Sequence, residues 1–180
     1  MLKYILYILV TIITNYSFSQ TINNRIYNDS TDYNTYLDSI DGISFDYPKS
    51  WDTTKIVNQY LFTATEQLTN VNDKFKENLI FGKVEISADL DFLLKSAAQS
   101  LQKDNKKIVI IEQQIKTNIN GVQYAILKYT SSISNIECST INIYLKKGKY
   151  GFYLVFGNDV GEEKKYSKIY NKIVESIKSQ

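Results

Sequence analysis

Histidine is absent from this 180-residue chain, and cysteine, proline, methionine and tryptophan occur once each. Without histidine, neither a Ser-His-Asp triad nor a Cys-His nucleophile can be assembled. With Cys138 as the lone thiol, zinc and copper would be left with carboxylates and weaker ligands, so neither metal is expected. A single cysteine also excludes an internal disulfide, and stability must come from an apolar core. The seven glycines are scattered, mostly where turns are expected, and none builds a phosphate-cradling loop. Charge is equally scarce in one sense: the formal net value is only +2, which gives no electrostatic case for nucleic acid as a partner.

Long apolar runs are also missing, with one informative exception at the start. Lys3 precedes an apolar stretch from Tyr4 to Ile13, followed by Ser17-Phe18-Ser19 and then Gln20. A basic start, an apolar stretch and small residues two apart is the layout of a secretory signal. A membrane span needs about 20 apolar residues, and this run falls well short. Residues 1–19 are therefore expected to be a signal peptide, the protein exported (periplasmic or secreted), with no membrane span left after cleavage. No cysteine adjoins the run, so a lipid anchor is not expected.

Residues 20–39, rich in Asn, Asp, Ser and Thr, show no hydrophobic period and are expected to form a flexible polar linker. Asp29, Asp32, Asp38 and Asp41 lack the alternating ligands, central glycine and closing glutamate of a calcium loop. From residue 40 to 180 the pattern becomes that of one domain. Ile43, Phe45 and Tyr47 alternate with polar residues, a short strand with one buried face, and Pro48 stops it because proline cannot donate to a ladder. Trp51, three residues on, is placed to fold back over the apolar face that the strand has just left.

Further strands are expected at 56–65, 79–87, 107–116, 122–131, 137–146 and 150–156. The turn signals "NING" (118–121) and "KKGK" (146–149) make the last four an antiparallel meander. Several runs are apolar on both faces; Val122, Tyr124 and Ile126 point one way, Ala125, Leu127 and Tyr129 the other. Such strands need a layer on each side. Two amphipathic stretches supply them. Residues 89–103 carry Leu90, Leu93, Leu94, Ala97, Ala98 and Leu101 at helical spacing, and 162–178 carry Tyr166, Ile169, Tyr170, Ile173, Val174 and Ile177. The fold class is α+β, an antiparallel sheet sandwiched by helices.

That order of elements has a known counterpart. The Gly-Ile-x-Phe-x-Tyr-Pro-x-x-Trp segment at 42–51 is followed by "KFKENLIFGKVEI" (74–86), a helix and an "ING…Y" hairpin (119–124). The "YLKKGKYGFYLVF" strand pair (144–156) and a C-terminal helix complete it. Over residues 40–180 the chain resembles the PsbP-like family of exported bacterial proteins, relatives by fold of the PsbP extrinsic subunit of photosystem II. Its most specific residues, Gly42, Phe45, Pro48, Trp51 and Gly121, are packing and turn residues. The resemblance implies the sandwich architecture and a non-catalytic accessory or binding role. Metal roles of the photosynthetic members lean partly on histidines, which this chain lacks, so no functional residue is carried over.

No catalytic, cofactor-binding or metal residue is assigned, no cofactor is expected, and the binding face is left open. Cys138, on the strand face opposite Ile141, Ile143 and Leu145, reads as a half-buried structural thiol. Glu66, Glu85 and Glu112 are the candidates for an acid–base pair acting on glycans, which needs two carboxyls about 5 to 10 Å apart. Most of the fifteen tyrosines fall at strand positions, and Tyr33, Tyr36, Tyr60 and Tyr153 are the ones expected at a binding surface. Lys74, Lys76, Lys106, Lys107, Lys146, Lys147 and Lys149 cluster at expected loops and read as solvated. The expectation is an exported, non-enzymatic accessory protein of the cell envelope whose partner is another envelope protein or a small ligand. The alternatives are a carboxylate-dependent hydrolase and a structural subunit of an envelope assembly.

Overall fold

A computed structural model describes residues 32–55, 60–67, 75–104, 107–133 and 136–180. The expected signal peptide and the linker up to residue 31 lie outside them. The strands are β1 (Tyr33–Asp38), β2 (Ile43–Pro48), β3 (Asp52–Lys55), β4 (Tyr60–Thr65), β5 (Asn78–Glu85), β6 (Val109–Thr117), β7 (Gln123–Ile133), β8 (Ile136–Lys147), β9 (Tyr150–Asp159) and β10 (Lys178–Ser179). Helix α1 spans Leu90–Asp104 and α2 spans Glu163–Ser176.

Seven strands form one sheet in the order β3-β4-β5-β9-β8-β7-β6. All its pairs are antiparallel, and β6 to β9 form the expected meander. One face carries α1, whose Leu90, Leu94, Ala97, Ala98 and Leu101 pack on Ile80, Ala125, Leu127, Tyr129, Tyr144, Tyr153 and Val155. The other face carries α2 together with a second, three-stranded sheet in the order β1-β2-β10. The sandwich is thus as expected, with one cover built partly from strands.

Two expectations change in detail. Residues 33–38 are not linker: they pair antiparallel with β2, from Tyr33 opposite Pro48 to Asp38 opposite Ile43. Ladder hydrogen bonds come from the backbone, and only Tyr33 and Tyr36 of β1 need to reach the core, so a polar sequence suffices. Of the strand expected at 56–65, residues 60–65 form β4 and 56–59 lie outside the described residues, while a strand not expected, β3, lies ahead of it.

The single proline and single tryptophan now have their reason. Pro48 ends β2 beyond the short reach of β10, which pairs only with Ser44 and Ile43, so its missing N–H costs no ladder bond on that side. Trp51 N–H donates to the Pro48 carbonyl at 3.1 Å, and the indole is buried in the same core as Phe45, Phe62 and Phe81.

Candidate functional site

Two glycine turns from distant parts of the chain meet at one end of the sandwich. Asp38 shapes the first: its carboxylate accepts the N–H groups of Ile40 at 3.0 Å and Asp41 at 3.3 Å. Gly42 follows at φ 65°, a conformation that side-chain-bearing residues rarely adopt. A Cβ there would also stand 3.0 Å from the Gln180 carbonyl and 3.1 Å from Lys147 Nζ. The second turn joins β8 to β9 through Gly148 at φ 56°. The chain end closes the group, with Gln180 N–H donating to the Gly42 carbonyl at 3.0 Å. Lys147 Nζ ties all three together by donating to the carbonyls of Asp41 and Gln180.

Between them lies an open cleft of about 420 Å³, within the usual size of ligand sites, lined chiefly by Ile40, Asp41, Lys147, Lys149, Tyr150 and Gln180. Lys83 Nζ stands 2.5 Å from Asp41 Oδ2, and Lys149 Nζ 3.2 Å from Glu85 Oε1. Both ammonium groups also lie over the Tyr150 ring, at 5.0 and 5.3 Å from its centroid. The hydrogen bond to Asp41 holds the Lys83 pKa above its ordinary value, and Glu85 does the same for Lys149. Both lysines therefore stay cationic at neutral pH, which suits recognition and not proton abstraction or imine formation. At the mouth Ile40 is 86% exposed, an apolar side chain held out by its turn. The cleft offers fixed charges, one aromatic face and one apolar knob.

The three carboxylates weighed as an acid–base set do not converge. Glu66 is buried, accepting from the Tyr166 hydroxyl, with Lys165 Nζ 3.5 Å away. Glu85 lies at the opposite end of β5 from the Asn78 end that flanks Glu66, roughly 23 Å away at strand rise. Glu112 sits four strand spacings from β5, roughly 19 Å, paired with Lys116 at 2.6 Å. A carboxylate that sequence reasoning passed over, Glu77, does lie beside Glu66, whose N–H donates to the Glu77 carbonyl at 2.8 Å. Both side chains are buried. Among the described residues no group of three or more His, Cys, Asp or Glu is placed to hold a metal ion.

Of the four tyrosines expected at a surface, Tyr36 and Tyr153 turn inward. Tyr153 is buried and lies across Gly82 on the neighbouring strand, where a Cβ would meet its hydroxyl oxygen at 2.3 Å. Tyr36 packs its ring against Phe45, Phe62 and Phe81 at 4.7 to 5.4 Å. Tyr33 is half-buried under Lys172, and the Tyr60 side chain lies outside the described residues. Cys138 is fully buried, more so than its strand position suggested, and burial pushes its thiol up to about 11, consistent with an inert group. Of the seven lysines, Lys147 and Lys149 do line a site.

No protein-family model matches the sequence, and no curated protein matches it either. Solved structures do. The solution structure of cyanobacterial PsbP (CyanoP) from Synechocystis sp. PCC 6803 superposes with a TM-score of 0.62 at 11% identity, covering 87% of this chain and 98% of that one. The chain adopts the PsbP-like fold. The same fold relates it to LpqN, described as involved in cell envelope biogenesis of Mycobacterium tuberculosis. That match has a TM-score of 0.53 at 15% identity, over 84% of this chain and 86% of that one. A protein of unknown function, PA94 from Pseudomonas aeruginosa, matches with a TM-score of 0.53 at 9% identity, over 82% and 97% of the two chains. Among the described residues no helix is long and apolar enough to cross a membrane.

Proposed function

We propose that this PsbP-like chain is an exported accessory protein of the cell envelope that acts by binding and not by catalysis, with the cleft at its glycine turns as the recognition surface. The observation that carries this is the cleft itself. Three remote segments are fastened together by Lys147 and by the Gln180–Gly42 hydrogen bond, and the result displays Ile40 to solvent between paired charges. An exposed apolar residue beside charged groups on a preorganised turn is a layout that suits a binding contact, where an apolar centre meets a polar rim. LpqN, with the same fold, is described as involved in cell envelope biogenesis, which supports a role connected with the envelope. The leader-like residues 1–19 support export.

Two measurements test the reading. Fractionation with mass determination should find the protein outside the cytoplasm and starting at Gln20. Tagged protein from Gln20 onward should enrich one or two partners from native envelope fractions. Enrichment should fall at least about tenfold for Ile40→Asp, the usual loss when a central contact residue is removed. A cytoplasmic protein with its leader intact would end the export claim. Capture unaffected by Ile40→Asp and Lys149→Glu would remove the cleft from the proposal. If no protein is enriched, thermal shifts with metabolite extracts decide whether the cleft takes a small ligand instead.

A further inference from the structure

The turn "NING" (118–121) does more than reverse the chain between β6 and β7. It sets Asn120 before Gly121, the one Asn-Gly pair in the sequence. Such a pair is chemically labile. The backbone nitrogen of the following residue can attack the asparagine side-chain carbonyl carbon, and glycine, having no Cβ, hinders that ring closure least. Both residues are exposed. Gly121 has φ 77°, and nothing stands within 4 Å of the place a Cβ would take, so the turn is uncrowded.

The fold restrains both partners of that reaction. The nucleophile is engaged, because Gly121 N–H donates to the Asn118 carbonyl at 3.0 Å. The leaving group is engaged as well. Asn120 Nδ2 donates to the carbonyls of Glu175 at 2.8 Å and Ile177 at 3.1 Å. The backbone of the turn is held on the same two sides: Asn120 N–H donates to Asn118 Oδ1 at 3.0 Å, and Ile119 N–H to the Glu175 carboxylate at 2.9 Å. Much of the restraint therefore comes from the end of α2, remote in sequence from the turn it holds.

We propose that Asn120 is a deamidation site gated by the end of α2. When that end draws back, hydroxide takes the Gly121 amide proton and the nitrogen attacks Asn120 Cγ. The N–Cγ bond forms, the Cγ–Nδ2 bond breaks, and Nδ2 leaves as ammonia with a proton from water, which restores the hydroxide. Water then opens the five-membered imide at either carbonyl, giving aspartate or isoaspartate. The product cannot resume its place. Its carboxylate has no N–H to give to the Glu175 and Ile177 carbonyls, and it brings negative charge toward them and toward the Glu175 side chain. Ile177 leads straight into β10, and Gln180 beyond it closes on Gly42, so loosening at α2 reaches the last residues of the chain. The proposal rests on the turn and stands whether or not the cleft binds a partner.

The chain from Gln20, incubated at mildly alkaline pH and then digested, should show aspartate and isoaspartate in the peptide that carries Asn120, read by mass spectrometry. In urea at the same pH, with the gate removed, conversion should be at least about tenfold faster. Asn118→Ala frees the turn, so it should quicken conversion of the folded chain about fivefold and leave the rate in urea unchanged. Asn120→Asp copies the charge of the product, and hydrogen exchange should quicken at 177–180 while α1 is unaffected. The converted native chain, separated by its added charge, gives the same readout without a substitution. Equal rates in the folded and unfolded chains would remove the gate, and no conversion of Asn120 in urea would remove the site. Unchanged exchange at 177–180 in both Asn120→Asp and the converted chain would break the link from product to α2. Each of these outcomes overturns the proposal.

Discussion

The two faces of the central sheet are packed by different means. On one, a single helix lays leucines and alanines against Leu127, Tyr129 and Val155, and the contact is that of a smooth cylinder on a pleated surface. On the other, rings interlock: Phe81 has Tyr36, Phe45 and Phe152 at centroid distances of 5.4, 5.2 and 6.0 Å, and Tyr170 touches Phe156 at 4.7 Å. The aliphatic face is covered by one element, continuous in sequence. The aromatic face is covered by β1, β2, β10 and α2, drawn from both ends of the described chain. The difference lies in how each face can respond to damage. A helix can settle toward a small void, whereas rings held edge-on and face-on by neighbours from remote segments have little freedom to close one.

The largest effect should therefore come from the aromatic face. Phe81→Ala should cost about 3–5 kcal/mol and Leu94→Ala less, near the low end of the ~2–5 kcal/mol seen for buried leucines. Urea unfolding of the two variants measures the gap directly. Equal costs would mean that the ring face relaxes as readily as the helix face and would break the contrast.

The fastening of the aromatic cover is the next target. Asn118, buried at the β6–β7 turn, donates from Nδ2 to the carbonyls of Val174 at 3.0 Å and Ile177 at 2.8 Å. Its Oδ1 accepts the N–H groups of Asn120 and Val122, each at 3.0 Å. One side chain thus shapes its own turn and satisfies carbonyls at the end of α2, where a helix has no internal donors. Asn118→Ala should cost about 1–3 kcal/mol, because the N–H groups of Asn120 and Val122 lose their side-chain acceptor, while the Val174 and Ile177 carbonyls keep the Ile177 N–H and Asn120 Nδ2 as donors. Hydrogen exchange should quicken at Ile177 and in β10 before it does in α1. Uniform quickening would mean that the two covers are held as one unit.

This contrast also explains what could be read from the sequence. Both helices and the meander were legible, because periods of 3.6 and 2 are written in nearby residues and "NING" and "KKGK" mark the turns between. The α1 face was legible for the same reason. The aromatic cover was only half so. "YNTYLD" (33–38) carries no run of apolar residues, since its strand bonds come from the backbone, and it reads as tether. β10 is two residues long, too short for any period. The cleft was illegible because Gly42, Lys147 and Gln180 are joined by hydrogen bonds across the whole chain. Tyr153 was misplaced because its burial depends on Gly82, a small residue on the adjacent strand that leaves room for the ring. Contacts across long loops leave no local pattern, and residues of the site are mostly of that kind.

The smallest effect at neutral pH, and a sharp test of the buried tyrosines beneath α1, is alkaline sensitivity. Burial pushes the Tyr129 hydroxyl up to about 12, and Tyr144 is raised further by burial and by Tyr129. An unfolded tyrosine loses its proton near pH 10. Above that pH the unfolded chain binds fewer protons than the folded one, so stability falls as pH rises. The contribution is complete below about pH 10 and is lost as pH climbs through the folded value. On the aromatic face Tyr36 is also raised to about 12, but its ring is only part-buried and its ionised form can be solvated with less rearrangement. Urea midpoints measured from neutral pH upward should therefore fall less steeply in Tyr129→Phe than in the native sequence, with Tyr36→Phe giving the weaker relief. Parallel curves for all three proteins would show that neither hydroxyl limits alkaline stability and would shift the cause to the lysines, whose ion pairs with Asp41 and Glu85 also dissolve as their ammonium groups deprotonate.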